Sequence, residues 1–84
     1  MRLTIVGSGY VGLVTGTCLS NTGNQVTCLD LDPHRVKTLR EGGCPIHEPG
    51  LEELLRANIA SERLQFTDDP GEAYRDAQVI FICV

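Results

Sequence analysis

Four short apolar runs, separated by polar stretches with helical spacing, set the pattern of this chain. Residues 2–6 and 78–84 are almost continuously apolar, as strands buried on both faces are. Residues 25–30 form a comparable run, Gln25-Val26-Thr27-Cys28-Leu29-Asp30, and Leu64-Gln65-Phe66-Thr67 alternates at the period of a strand. The first intervening stretch predicts a helix over 10–22. Val11, Val14, Cys18 and Leu19 fall on one face of it, Gly16 implies close packing against a neighbour, and Asn21-Thr22-Gly23-Asn24 is a stop. Asp32-Pro33 is a cap with proline at the first helical position, which predicts a second helix over 33–41. Val36 and Leu39 turn toward the sheet, and Gly42-Gly43 ends it. A loop with two prolines follows. A short helix then begins near Pro49, with Glu48 as its expected cap and Leu51, Leu54, Leu55 and Ile59 as a core stripe. Asp69-Pro70-Gly71-Glu72 reads as cap, proline and capping-box glutamate of one more brief helix.

Alternating strands and helices imply an α/β fold with a parallel sheet and right-handed crossovers. The junction after the first strand is the most specific point in the chain. Gly7-Ser8-Gly9-Tyr10-Val11-Gly12 stands between an apolar run and a helix, and Asp30 ends the next apolar run. This is the dinucleotide fingerprint in its structural context. Gly7 is expected to make the turn and Gly9 to let a pyrophosphate approach backbone. Gly12 is expected to let the helix pack closely on the strand. The free amides of the first helical turn then face the phosphates. Asp30 is placed to accept hydrogen bonds from both ribose hydroxyls and to repel a 2′-phosphate, which selects NAD over NADP. The fold class is therefore a Rossmann-type parallel sheet of order 3-2-1-4, with its crevice at the carboxyl ends of the strands.

The 84 residues fit one domain or part of one. The final run stops at Val84 and leaves an apolar edge, and so short a chain buries little core. Residues 1–84 thus read as the N-terminal portion of a larger dinucleotide-binding domain. A formal net charge of −4 without a Lys/Arg cluster argues against nucleic acid as a partner. No apolar run approaches the ~20 residues that span a bilayer, so no membrane partner is expected either. Cys18, Cys28, Cys44 and Cys83 have no metal-ligand spacing, and no metal site is expected. Three of them lie in apolar runs as small buried hydrophobes, with Cys44 in a loop, and all four fit a reducing cytoplasm.

Three further strings carry a resemblance. Asp30-Leu31-Asp32 with Arg35-Val36, the loop Pro45-Ile46-His47-Glu48-Pro49-Gly50-Leu51 with Glu52-Glu53-Leu54-Leu55, and Phe81-Ile82-Cys83-Val84 extend the glycine turn into a pattern covering essentially the whole chain. Together they resemble the amino-terminal domain of the UDP-glucose/GDP-mannose dehydrogenases. The proline-rich loop is the most specific element, since ordinary dinucleotide domains lack it. His47 departs from the Tyr or Phe common in the family, and it reads as a surface residue.

The resemblance implies a two-step, NAD-dependent oxidation of a sugar C6 alcohol to a carboxylate by a homo-oligomer. UDP-glucose is the first expected substrate, with GDP-mannose or another UDP-sugar as the alternative. The family's catalytic residues lie downstream, so none is expected among these residues. The cofactor-binding set expected here is Gly7, Gly9, Tyr10, Val11, Gly12, Asp30 and Arg35. Tyr10 and Val11 offer backbone and packing at the pyrophosphate turn, and Arg35 either stacks on adenine or pairs with Asp30. Two other readings share the fingerprint: a non-catalytic NAD-sensing module, and a methyltransferase gripping adenosine, against which Gly12 and the 45–50 loop speak.

Overall fold

The computed structural model describes residues 1–84. The elements run β1 (Arg2–Val6), α1 (Tyr10–Asn21), β2 (Gln25–Leu29), α2 (Pro33–Arg40), α3 (Leu51–Ala60), β3 (Leu64–Thr67), α4 (Pro70–Tyr74) and β4 (Val79–Ile82). All three strand pairings are parallel and the order is β3-β2-β1-β4, as the alternation of elements implies. The order reverses between β1 and β4, so their carboxyl ends open a crevice there. Backbone bonds continue past the strands at that end. Gly7 N–H donates to Leu29 O at 2.8 Å, Asp30 N–H to Thr67 O at 3.0 Å and Cys83 N–H to Val6 O at 2.8 Å.

The core lies around β1 and β2. Leu3, Ile5, Val26 and Cys28 pack with Leu13, Val36, Leu39, Leu55, Leu64 and Phe66. Val36 and Leu39 of α2 are buried as their spacing predicts. In α3, Leu51 and Leu55 are buried and Ile59 packs partly against the cluster.

The inward face of α1 corrects the sequence expectation. Gly12, Leu13, Gly16, Thr17 and Ser20 are buried, while Val11 and Cys18 are exposed and Val14 and Leu19 are half-buried. The reason is distance. A Cβ on Gly16 would stand 2.9 Å from Cys28 Sγ, and one on Gly12 would stand 1.8 Å from Gly7 O. The helix lies so near the sheet that Gly12, Gly16, Thr17 and Ser20 take the contact beside Leu13, while Val11 and Cys18 are turned to solvent.

Two caps also differ from expectation. Glu48 does not cap α3. Gly50 is its N-cap, in a left-handed conformation (φ 81°) and without a side-chain bond, and the Glu48 contribution is its carbonyl, accepting from Leu51 N–H at 3.1 Å. At α4, Asp69 accepts from Gly71 N–H at 3.0 Å as a cap should, but the capping box stays open. Thr67 Oγ1 accepts from Asp69 N–H at 3.1 Å and donates to Glu72, so Glu72 never reaches the cap backbone. The Asp32-Pro33 start does form, with the Asp32 carboxylate accepting from His34 N–H at 3.0 Å.

β4 is the other departure. Val79, Ile80, Phe81 and Ile82 are all exposed, rather than buried on both faces. β4 is an edge strand, and it presents unpaired N–H and C=O groups beside apolar side chains. The 84-residue chain is therefore expected to self-associate through Val79–Ile82. Light scattering across a concentration series checks this, and a monomer at high concentration contradicts it.

Candidate cofactor site

The turn between β1 and α1 is built as its sequence requires. Gly7 adopts φ 98°, a left-handed conformation that a Cβ would disfavour. Gly12 packs against the Gly7 carbonyl and brings the helix start over the strand end. Gly9 is the N-cap of α1 and makes no side-chain cap bond, because it has no side chain to make one. The amides of Tyr10, Val11 and Gly12 consequently have no acceptor within the protein. No acidic side chain occupies the first turn, so the positive end of the helix dipole is unopposed by α1 itself.

A cavity of about 480 Å³ opens at this turn. It is lined by Gly7, Ser8 and Gly9 from the turn, by Asp30, Leu31 and Arg35 from the end of β2 and the start of α2, and by Pro70, Tyr74, Cys83 and Val84 across the crevice. The position a Gly9 Cβ would take is open, with nothing within 4 Å. One volume thus holds the phosphate-type turn and a strand-end carboxylate.

Asp30 is the most heavily engaged group there. Its Oδ2 accepts from the Ser8 hydroxyl, from Ser8 N–H at 3.4 Å and from Arg35 Nη1 at 3.3 Å. Its Oδ1 accepts from Asp32 N–H at 2.9 Å. Burial pulls this carboxyl upward, but the Ser8 hydroxyl, the Asp32 and Ser8 amides and the Arg35 guanidinium outweigh it. Asp30 is held below the ordinary value of 3.8 and is ionised at neutral pH. The Arg35 side chain is 48% exposed, so its ion pair with Asp30 orients more than it stabilises. Of the two roles expected for Arg35, pairing with Asp30 is the one seen here.

Gly7, Gly9, Asp30 and Arg35 thus meet in one cavity. Tyr10 is exposed and borders a smaller adjoining cavity with Ser8, Gly9, Arg35, Pro45 and Ile46. Val11 and Gly12 line neither; Val11 presents its amide, and Gly12 acts through packing. Ser8 was missed in the sequence. Its only signal is its place between two glycines, because its bond to Asp30 spans 22 residues. The 45–50 loop reaches the site through Pro45 and Ile46, while His47 is exposed outside it.

The thiols do not join the site chemistry. Burial, reinforced by the nearby Cys83, pushes the Cys28 thiol up to about 12, which keeps it protonated and inert. Cys83 is half-buried and Cys18 is exposed, so only Cys28 fits the expectation of buried cysteines in apolar runs. No group of histidine, cysteine and acidic side chains is placed to hold a metal ion. No helix is long and apolar enough to cross a membrane.

All 84 residues match the model of the NAD-binding domain of the UDP-glucose/GDP-mannose dehydrogenase family. The chain belongs to that family. It is 50% identical over its whole length to a UDP-glucose 6-dehydrogenase of Bacillus subtilis and 51% identical to one of Pseudomonas aeruginosa. Among solved structures, a ternary complex of GDP-mannose dehydrogenase from Pseudomonas aeruginosa superposes on the whole chain with a TM-score of 0.95 at 43% identity. The chain spans 19%, 18% and 19% of those three proteins. NAD is the cofactor of the family's domain, and the donor set described above suits it. Free amides at a helix start are the kind of donor a pyrophosphate needs, and an ionised carboxylate is the kind of acceptor a ribose diol needs.

Proposed function

We propose that residues 1–84 are the N-terminal portion of the NAD-binding domain of a nucleotide-sugar dehydrogenase, with UDP-glucose as the substrate of the full-length protein and GDP-mannose as the alternative. The observation that carries the site assignment is the single cavity shared by the uncapped start of α1 and the Asp30 carboxylate. Gly7, Gly9 and Gly12 shape the turn, and the amides of Tyr10 and Val11 take the pyrophosphate. Asp30 takes the adenine ribose, with Arg35 beside it. When bound, NAD supplies the hydride acceptor. No residue of this segment is assigned a catalytic role, so residues 1–84 alone are expected to show no dehydrogenase activity. Four unpaired cysteines suit a reducing, cytoplasmic compartment for the full-length form, which is read as a homo-oligomer. The test is stoichiometric: the full-length protein should release two NADH for each UDP-glucose oxidised to the acid. Failure with both UDP-glucose and GDP-mannose overturns the assignment.

Asp30 gives the assignment a local test. In the full-length protein, Asp30→Ala should weaken NAD binding by about 1–3 kcal/mol, the scale of an acceptor with full charge. It should also relax the exclusion of NADP, whose 2′-phosphate the carboxylate repels. The sign with pH follows from the lowered carboxyl. Folded protein keeps Asp30 ionised, and able to accept the ribose hydroxyls, to below the ordinary value of 3.8, so its contribution to NAD binding is lost only as pH falls through that lower folded value. Calorimetry with NAD and NADP reads these effects, and unchanged NAD affinity in Asp30→Ala removes the ribose role.

A further inference from the structure

Asp30 does not orient itself. Its two oxygens are held from two directions: Oδ1 by the Asp32 amide on its own strand end, and Oδ2 by the Ser8 hydroxyl and amide from the phosphate turn. Arg35 adds a contact to Oδ2 at 3.3 Å from a half-exposed side chain. Ser8 is only 2% exposed, so its hydroxyl has little access to water as an alternative partner. Asp30, Ser8 and Arg35 all line the same cavity. A carboxylate has about four acceptor sites. Asp32 and Ser8 fix the plane of the group with three bonds and Arg35 takes the fourth, and Arg35 is the one partner long and exposed enough to swing aside and free acceptor capacity toward the cavity. The same hydroxyl ties the glycine turn to the end of β2 across 22 residues, so it couples the phosphate end of the cavity to the ribose end.

We propose that Ser8 is a positioning residue whose hydroxyl locks the Asp30 carboxylate in the orientation that accepts a ribose diol, and so sets discrimination between NAD and its 2′-phosphorylated form. This rests on the assignment of the cavity to NAD. Without the hydroxyl, Oδ2 is left to Arg35 and the Ser8 amide, and the carboxylate turns toward the guanidinium. A turned carboxylate accepts the diol less well and repels a 2′-phosphate less.

The full-length protein carries the test, with Ser8→Ala and Ser8→Thr compared by calorimetry against NAD and NADP. Loss of one hydrogen bond to a charged group predicts about tenfold weaker NAD binding in Ser8→Ala. NADP binding should change less, so that the NADP-to-NAD ratio of dissociation constants narrows about fivefold or more. Ser8→Thr, which keeps the hydroxyl, should restore most of the ratio. A readout independent of activity is the Asp30 carboxyl carbon followed by NMR, which should titrate at higher pH in Ser8→Ala. Should Ser8→Ala fail to fold, the same ratio measured on Ser8→Cys, similar in size with a feeble donor, decides. Equal loss of NAD and NADP affinity, or wild-type affinity for both, overturns the positioning role. A wild-type protein that binds neither dinucleotide overturns the cofactor assignment itself, and this inference with it.

Discussion

Gly12→Ala should unfold the glycine turn rather than merely weaken ligand binding. The added Cβ would stand 1.8 Å from Gly7 O and 2.9 Å from Gly7 C, with Ile5 Cγ2 at 3.3 Å behind it. The obstacle is backbone, which cannot rotate away as a side-chain tip can. Either the start of α1 lifts off β1, or Gly7 leaves the φ of 98° that makes the turn. Alanine gains about 1 kcal/mol over glycine in helix propensity, which works in the other direction. Overpacking of well-packed sites costs about 1–3 kcal/mol and more where nothing can move, so the overlap wins. A gross cost at or above about 3 kcal/mol, less the ~1 kcal/mol of propensity, leaves a net loss of about 2 kcal/mol or more, a large share of the ~5–15 kcal/mol that holds a domain together. Urea denaturation of Gly12→Ala reads the loss directly, and a midpoint within error of the wild type contradicts this packing. Gly16→Ala is the graded comparison. Its Cβ meets a side-chain atom, Cys28 Sγ, at 2.9 Å, so the cost should be smaller.

The same close approach explains what was legible in the sequence and what was not. The strands and their order could be read because an apolar run, a glycine turn and an acidic strand end occur in succession, and parallel connectivity follows from the alternation of elements. The Asp32-Pro33 helix start could be read because all its parts are within three residues. The buried face of α1 could not. Hydrophobic periodicity assumes that the largest apolar residues face inward, whereas here the room between α1 and the sheet is so small that Gly12, Gly16, Thr17 and Ser20 share the contact with Leu13. Glu48 and Glu72 misled for a related reason. A cap motif states what a side chain can reach, but Gly50 and Thr67 reached those positions first. Ser8 lay beyond local pattern altogether, since its partner is brought to it by the β1–β2 pairing.

Gly9→Val should do the reverse of Gly12→Ala: keep the fold and abolish NAD binding. Gly9 has φ −71° and ψ −166°, an extended conformation that a β-branched residue adopts without strain. Its Cβ position has no heavy atom within 4 Å, so no part of the protein must move to admit a side chain. Valine is a poor N-cap and costs α1 on the order of 1 kcal/mol, too little to unfold the domain. The open space is where an anion must come to reach the amides of Tyr10, Val11 and Gly12 at a hydrogen-bond distance of about 2.9 Å. A branched side chain there holds a phosphate off, and each charge-assisted bond lost costs about 1.5–3 kcal/mol. Losing two of them weakens binding by more than about a hundredfold, below what calorimetry detects at ordinary concentrations. Gly9→Ala, with one methyl, should fall between. Circular dichroism and a thermal melt establish that the valine variant is folded, and calorimetry then decides. A folded Gly9→Val protein that binds NAD as the wild type does would place the pyrophosphate somewhere other than the start of α1.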